Sequence, residues 1–433
     1  MKFWTSLFVM SLILLAACAI PEESMSQAPT AQPPETAVPP TNTPAPPNTP
    51  TIVPTATPIP AESPTPAPTI PWQELSQPEP EQPLDGSDVD IYVDGMYQPV
   101  AVAFAPDGRL FYTEKETGNV RVVIDRVLQP QPVVTFPSAI LGEQGLIGIA
   151  MDPNFETNHY IWVTHVLSDK VNNGEKLNRI IRFTEQNNRA IDIQIAFSSI
   201  NIIQTDRHNI GNLAFGPDGM LYVGVGEGTE AYLAPNLHDP RGKILRFDPN
   251  TLPLEAPPDN PFYDGDGPNF DGIYAYGFRN PFDFVFDPLK PGNIIATGNG
   301  PDCDDEVNLV LKGYNYGWNF DYICRDQQPL DPATNTIPPL ISWSPTTAPT
   351  GITVYTGDDF PEWYGDIFFC AYNNALFHHL KLNEARDAVV SHTTINGMYC
   401  QIDVINGPDG ALYFLEGGGI QEGRLKRLFR KDQ

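Results

Sequence analysis

The chain has 433 residues, with 53 acidic against 25 basic side chains and a formal net charge of −28. Such a balance excludes electrostatic docking on nucleic acid or anionic lipid, which needs clustered Lys and Arg. With 34 Gly and 47 Pro, long helices are disfavoured and a β-rich fold is expected.

In chain order, the first element is a leader. Lys2 precedes an apolar run that ends in Leu15-Ala16-Ala17-Cys18. The run is too short for a permanent span, and small residues before a cysteine fit a lipoprotein signal over residues 1–17, leaving Cys18 as a lipidated N-terminus. A membrane partner is therefore expected through a lipid anchor alone, with the mature protein outside the cytoplasm. Residues 18–86 are rich in Pro, Thr, Ala and Ser and contain about twenty of the 47 prolines. Such a segment cannot bury enough apolar surface to offset its ordering entropy, so a disordered, extended linker is predicted.

Residues 87–433 read as one large all-β domain. An apolar strand, a turn built on Pro-Asp-Gly or Asp-Pro, and a second alternating strand recur from Val102, Gly148, Leu213, Phe284 and Asp403. Pro fixes φ before the turn and Gly takes the positive φ, so each unit is a β-hairpin. Recurrence with strand-like runs between fits a β-propeller better than a sandwich, and periodicity alone allows five to seven blades. Beyond the leader, Cys303, Cys324, Cys370 and Cys400 remain. An even count in an oxidising compartment predicts two disulfides; proximity favours Cys303 with Cys324 and Cys370 with Cys400, among three possible connectivities.

One stretch carries a candidate acid–base pair. In TDRHNIGNLAFGPDGMLYVGVGEGTE, His208 precedes Glu227 across a hairpin. An imidazole titrates near neutral pH and a carboxylate can orient it, although a lone histidine is more often structural.

The motif order resembles the soluble pyrroloquinoline-quinone-dependent aldose dehydrogenases of the glucose/sorbosone dehydrogenase family. The segments that carry it are GEQGLIGIAMDPNF at Gly142, RHNIGNLAFGPDG at Arg207, YAYGFRNPFDFVFDP at Tyr274 and GPDCDDEVNLVLKGYNYGW at Gly300. The resemblance implies a six-bladed β-propeller that oxidises aldoses or related hydroxy compounds at C1, with pyrroloquinoline quinone (PQQ) and calcium as cofactors and an external electron acceptor. It implies His208 as general base, Glu227 as its orienting acid, and Arg279 with Asn280 facing the quinone carbonyls. It also implies Glu143 as a polar cofactor contact, Trp343 as an aromatic near the cofactor plane, and Gly300 and Pro301 as carbonyl ligands of calcium. Read from the residues alone, Arg279 could instead pair with Asp283 or Asp287, and the NYGW run could be a core aromatic cluster.

The sequence departs from the family where cations grip the anionic cofactor. Asn373 stands in place of a lysine, and Cys400-Gln401-Ile402 in place of two arginines. Ile210 replaces a glycine beside the histidine, where a β-branched side chain is expected to narrow the approach, and Gly298 replaces a glutamate. Lys243, Arg241 and Arg207 are the candidate sources of replacement charge. An alternative function follows: a non-catalytic propeller, displayed on its stalk, that binds carbohydrate or protein.

Overall fold

The structure is a computed structural model that describes residues 78–199, 205–324, 336–419 and 421–431; the expected leader, Cys18 and nearly all of the linker lie outside these residues. Two strands come first, β1 (Glu79–Glu81) and β2 (Ser87–Met96). Blade 1 follows as β3 (Pro99–Phe104), β4 (Leu110–Glu114), β5 (Asn119–Ile124) and β6 (Val127–Leu128), with β7 (Val134–Thr135) also on β5. Blade 2 is β8 (Leu146–Met151), β9 (Tyr160–Leu167), β10 (Leu177–Gln186) and β11 (Arg189–Ser198). Blade 3 is β12 (Ile210–Phe215), β13 (Leu221–Val225), β14 (Lys243–Phe247) and β15 (Ile273–Tyr276). Blade 4 is β16 (Pro281–Phe286), β17 (Ile294–Gly298), β18 (Asp305–Val310) and β19 (Ile341–Trp343). Blade 5 is β20 (Pro349–Val354), β21 (Ile367–Ala371), β22 (Leu376–Leu382) and β23 (Val389–Tyr399). Blade 6 is β24 (Val404–Asn406), β25 (Leu412–Gly417) and β26 (Gly423–Arg430), completed by β2, which pairs antiparallel with β26. The expected six-bladed propeller is therefore present, and its ring is closed by the N-terminal side of the chain.

The first strand of each blade is the inner one, since β3, β8, β12, β16, β20 and β24 pack on one another in sequence. Their alternating apolar residues fill the seams between blades, and all five apolar clusters among the described residues draw on neighbouring blades in this way. The first hairpin of blades 1 to 5 carries the same register shift, between Pro99 and Val102, Leu146 and Ile149, Ile210 and Leu213, Pro281 and Phe284, and Pro349 and Ile352. Such a bulge re-aims the side chain within it. At the bulges and the matching place in blade 6 stand Ala101, Gly148, Asn212, Asp283, Gly351 and Asp403. The polar ones stitch neighbouring blades. Asn212 Nδ2 donates to Asp283 Oδ1 at 2.7 Å, Ile352 N to Asp283 Oδ2 at 3.0 Å, and Val102 N to Asp403 Oδ2 at 2.8 Å.

Both carboxyls are buried. Burial pushes Asp403 up to about 8, aided by the charge of Asp283, and burial raises Asp283 as well. Because the folded value lies above the unfolded one, the stabilising contribution is complete below the ordinary carboxylate range and is lost as pH rises towards 8. Chemical denaturation is thus expected to show stability falling as pH rises from 4 to 8. Asp403→Asn should flatten that slope, and an unchanged slope would exclude this pair as its source.

Both disulfides join the expected partners, Cys303 with Cys324 and Cys370 with Cys400. One boundary differs. Ordered structure begins within the segment read as linker, because β1 adds in parallel to the edge of β23 and Glu81 Oε2 meets His379 Nδ1 at 2.9 Å. A sheet edge supplies the backbone partners that a Pro-rich stretch cannot supply for itself.

Candidate active site

The loops entering the inner strands and leaving the second strands gather at one end of the propeller. His208 sits just before β12 and Glu227 just beyond β13, so the first hairpin of blade 3 brings them together. His208 Nδ1 and Glu227 Oε1 are 2.6 Å apart, and both side chains are buried. A carboxylate oxygen can only accept, so Nδ1 carries the proton and Nε2 is left as the basic nitrogen. Nε2 has no protein partner among the described residues.

The backbone fixes this ring. His208 has φ 52°, a left-handed conformation costing a side-chain-bearing residue ~1–3 kcal/mol. It is held by three contacts: its N–H donates to Glu143 Oε2 at 2.8 Å, its carbonyl accepts from Gly228 N at 3.0 Å, and Glu227 takes its ring. Gly226 makes the crossing possible, since a Cβ there would lie 2.5 Å from the His208 carbonyl.

Blade 4 contributes the next group. Glu227 N donates to the Arg279 carbonyl at 2.8 Å, and Glu143 Oε2 also accepts from Asn280 Nδ2 at 3.4 Å, so one glutamate spans His208 and Asn280. Arg279 Nη1 donates to the Asn299 carbonyl at 2.9 Å and its guanidinium lies 5.5 Å from the Trp318 ring centroid. Among the described residues it has no carboxylate partner. Burial pulls its pKa down. The two aspartates that could have claimed it are taken otherwise: Asp283 by Asn212 and the Ile352 amide, Asp287 by Arg386 at 2.7 Å.

Arg279 opens on a pocket that also includes Asn280, Gly300, Pro301, Trp318 and Tyr322. Asp305 shapes the loop that carries Gly300 and Pro301. Its Oδ1 accepts from Gly300 N at 2.8 Å and its Oδ2 from Thr347 N and Ala348 N, each at 2.5 Å. Any side chain at Gly300 is excluded, because its Cβ would fall 1.8 Å from the Cys303 carbonyl. The Cys303–Cys324 bridge ties this loop to the segment of Trp318 and Tyr322, and Tyr322 Oη donates to Asp304 Oδ2 at 2.7 Å.

Several sequence readings are corrected. Trp343 does not stand at the mouth. It lies in β19, the outermost strand of blade 4, with its ring against Phe369, His378 and His392 of blade 5. The aromatic beside Arg279 is Trp318, from the NYGW run that could also be read as core; its position in a Gly-rich loop, rather than a strand, was the available signal. Ile210 turns into the apolar core and does not narrow the approach to His208. Gly298 pairs with Glu306 across the β17–β18 ladder, and Glu306 Oε2 lies 3.9 Å from where a Gly298 Cβ would be. A carboxylate thus reaches the same pocket from the neighbouring strand.

Cys400 is in its disulfide, Ile402 is in the core, and Gln401 Oε1 accepts from Gln421 Nε2 at 2.9 Å. Of the substitutes considered, Lys243 is spent on the carbonyls of Leu233, Ala234 and Arg241, and burial pulls it down to about 7. Arg241 is held by Asp239 at 2.8 Å, while Arg207 stands exposed beside His208. A cation that sequence reasoning passed over is Lys115, at the end of β4. It is 5% exposed, and its Nζ is buried without a partner among the described residues.

Residues 96–427 match the Glucose / Sorbosone dehydrogenase family. An uncharacterized protein of Synechocystis is 32% identical over 362 residues, covering 78% of this chain and 85% of that protein. Quinoprotein glucose dehydrogenase B of Acinetobacter calcoaceticus is 28% identical over 256 residues, 53% of this chain and 52% of that one. Among solved structures, the soluble aldose sugar dehydrogenase of Escherichia coli in its apo-form superposes with a TM-score of 0.69 at 25% identity, covering 79% of this chain and 99% of the other.

Proposed function

Because the chain belongs to the Glucose / Sorbosone dehydrogenase family, we propose that it is a PQQ- and calcium-dependent oxidoreductase that oxidises aldose sugars or related hydroxy compounds at C1. The observation that carries this reading is the buried 2.6 Å pair of His208 and Glu227 beside a half-buried arginine that lacks a carboxylate partner among the described residues. The residues present fit an anionic quinone: half-buried Arg279 and buried Lys115 are cations without a bonded counter-ion among the described residues, and the second is sealed. A tightly buried charge of this kind is costly unless something of opposite sign completes it.

When bound, the quinone supplies a two-electron acceptor for the hydride leaving C1, with calcium as its Lewis acid. The protein's own part is positional and protonic. His208 Nε2 takes the proton of the C1 hydroxyl, and Glu227 stabilises the imidazolium that results while keeping the ring in one tautomer. Arg279 presents N–H donors where negative charge develops on an oxygen, which is worth most in a site closed to water, and Asn280, whose amide bonds Glu143 and Asn299, holds that wall of the site in place. The backbone carbonyls of Gly300 and Pro301 are oxygen donors of the kind calcium prefers, on a loop that Asp305 fixes through three amides. The two cystine bridges support placing the domain in an oxidising compartment.

The test is reconstitution of the purified chain with PQQ and calcium, followed by reduction of an artificial electron acceptor over a panel of aldoses. Turnover that requires both additions is expected. No PQQ binding by calorimetry and no turnover across the panel would reject the enzyme and favour the displayed, non-catalytic propeller instead.

A further inference from the structure

The propeller lacks cations at three places on blades 5 and 6, yet it buries one on blade 1 that no reading of the sequence used. We infer that Lys115 grips a carboxylate of the quinone and takes over part of the work of those missing cations. The inference rests on the quinone reading of the site.

The argument begins with the cost of the residue as it stands. Lys115 is 5% exposed, its Nζ has neither a hydrogen-bond partner among the described residues nor contact with solvent, and burial pulls its pKa down. An ammonium carries three donors and is hydrated strongly, so a sealed, unpartnered one is among the least favourable groups a fold can retain. On its own segment Glu116, the next residue, attracts it without a hydrogen bond to Nζ. Glu114, the residue before it, is occupied by Arg121 at 2.7 Å and by Thr117 and Asn119. A structural lysine is normally given carbonyls or a carboxylate, as Lys243 is given three carbonyls in blade 3.

Place gives the second part of the argument. Lys115 leaves β4 at the end of the propeller where His208 stands. Its Cγ packs on Gly145, lying 2.6 Å from where a Cβ on that glycine would be, and its carbonyl accepts from Leu146 N at 3.0 Å. The same short loop presents Glu143, which holds both the His208 amide and Asn280. Glu143 also exerts an attraction on both Lys115 and Arg279. In a ring of six blades, blade 1 faces blade 4 across the axis, so Lys115 and Arg279 stand on opposite sides of one mouth, with Glu143 on the loop entering blade 2 between them. A flat, several-fold anionic group held with its reactive edge at His208 and Arg279 would extend towards blades 6 and 1. There Asn373, Gln401 and the Cys370–Cys400 bridge give it no charge, and Lys115 does. The unbranched four-carbon stem packs on Gly145, where any side chain would collide with it, and its rotations are what would turn the ammonium towards the mouth.

Calorimetric titration of PQQ into the purified, calcium-loaded full chain tests this without any turnover. Lys115→Met keeps the length and apolar stem and removes the charge. Its Kd for PQQ should rise about ten- to a hundredfold, the worth of one charge-assisted contact. Lys115→Arg should recover most of the affinity. Thermal melting of the same proteins gives the second reading: without PQQ the Met variant should melt no lower than the parent, since it removes an uncompensated charge, and it should gain less on adding PQQ. Equal affinity for parent and Met variant would overturn the role of Lys115 while leaving the quinone reading intact. A parent that binds no PQQ would overturn both. A Met variant that melts well below the parent without PQQ, with affinity unchanged among the folded molecules, would show a structural lysine and overturn the inference.

Discussion

His208→Asn is expected to lower kcat/KM for aldose oxidation by about 10²–10⁴-fold, the usual contribution of a positioned general base, while PQQ still binds. Asparagine is the informative replacement because it tolerates the left-handed backbone at φ 52°, where alanine would keep the strain and lose the partner of Glu227. Alanine would also leave both Glu227 oxygens buried and unpaired, since Oε2 already has no partner among the described residues. That double orphan costs ~1–3 kcal/mol on its own account, and a loss of activity in the alanine variant could therefore reflect folding. Circular dichroism and PQQ affinity should be close to parental in the asparagine variant. If its turnover also stays within a fewfold of the parent, His208 is not the base.

Arg279→Lys is the second large effect, with kcat expected to fall about 10²–10³-fold, comparable to removing one oxyanion donor. The exchange keeps a positive charge and removes the planar fork that bonds the Asn299 carbonyl while lying against Trp318. A point charge on a flexible stem cannot satisfy both at once. The loss should fall mainly on kcat, because the interaction is made with charge that develops as the hydride leaves. A variant that loses only affinity for the sugar, with kcat unchanged, would place Arg279 in ground-state binding instead.

The His208–Glu227 pair was legible in the sequence because a single hairpin creates it: a Pro-Asp-Gly turn fixes the register, and register fixes which residues meet at the strand ends. The repeated turn likewise made the propeller readable. What failed was everything decided between blades. Trp343 and Trp318 are both tryptophans near motif residues, and only the sheet order shows that one is in an outer strand while the other closes over Arg279. Gly298 looked like a lost carboxylate because its ladder partner, Glu306, is eight positions away in the chain. Ile210 looked obstructive because alternation gives a side chain two faces and no local feature says which face is core. Lys115 was invisible for a plainer reason. A lysine after a strand is usually solvated, and nothing in its neighbours announces that the next blade's Gly145 loop will seal it.

The way the ring is closed has a mechanical consequence. Between Glu79 and Phe104 the chain adds a strand to blade 5, then one to blade 6, then begins blade 1. Tension entering from the N-terminal side, as on a tether, meets the three-residue β1 first and can peel it from β23 without disturbing the closure. The ten-residue β2 lies antiparallel along β26 and would be loaded in shear, with its hydrogen bonds sharing the force rather than opening one after another. The N-terminal side thus joins the ring twice in series, by three ladder positions on blade 5 and then by a ten-residue strand on blade 6.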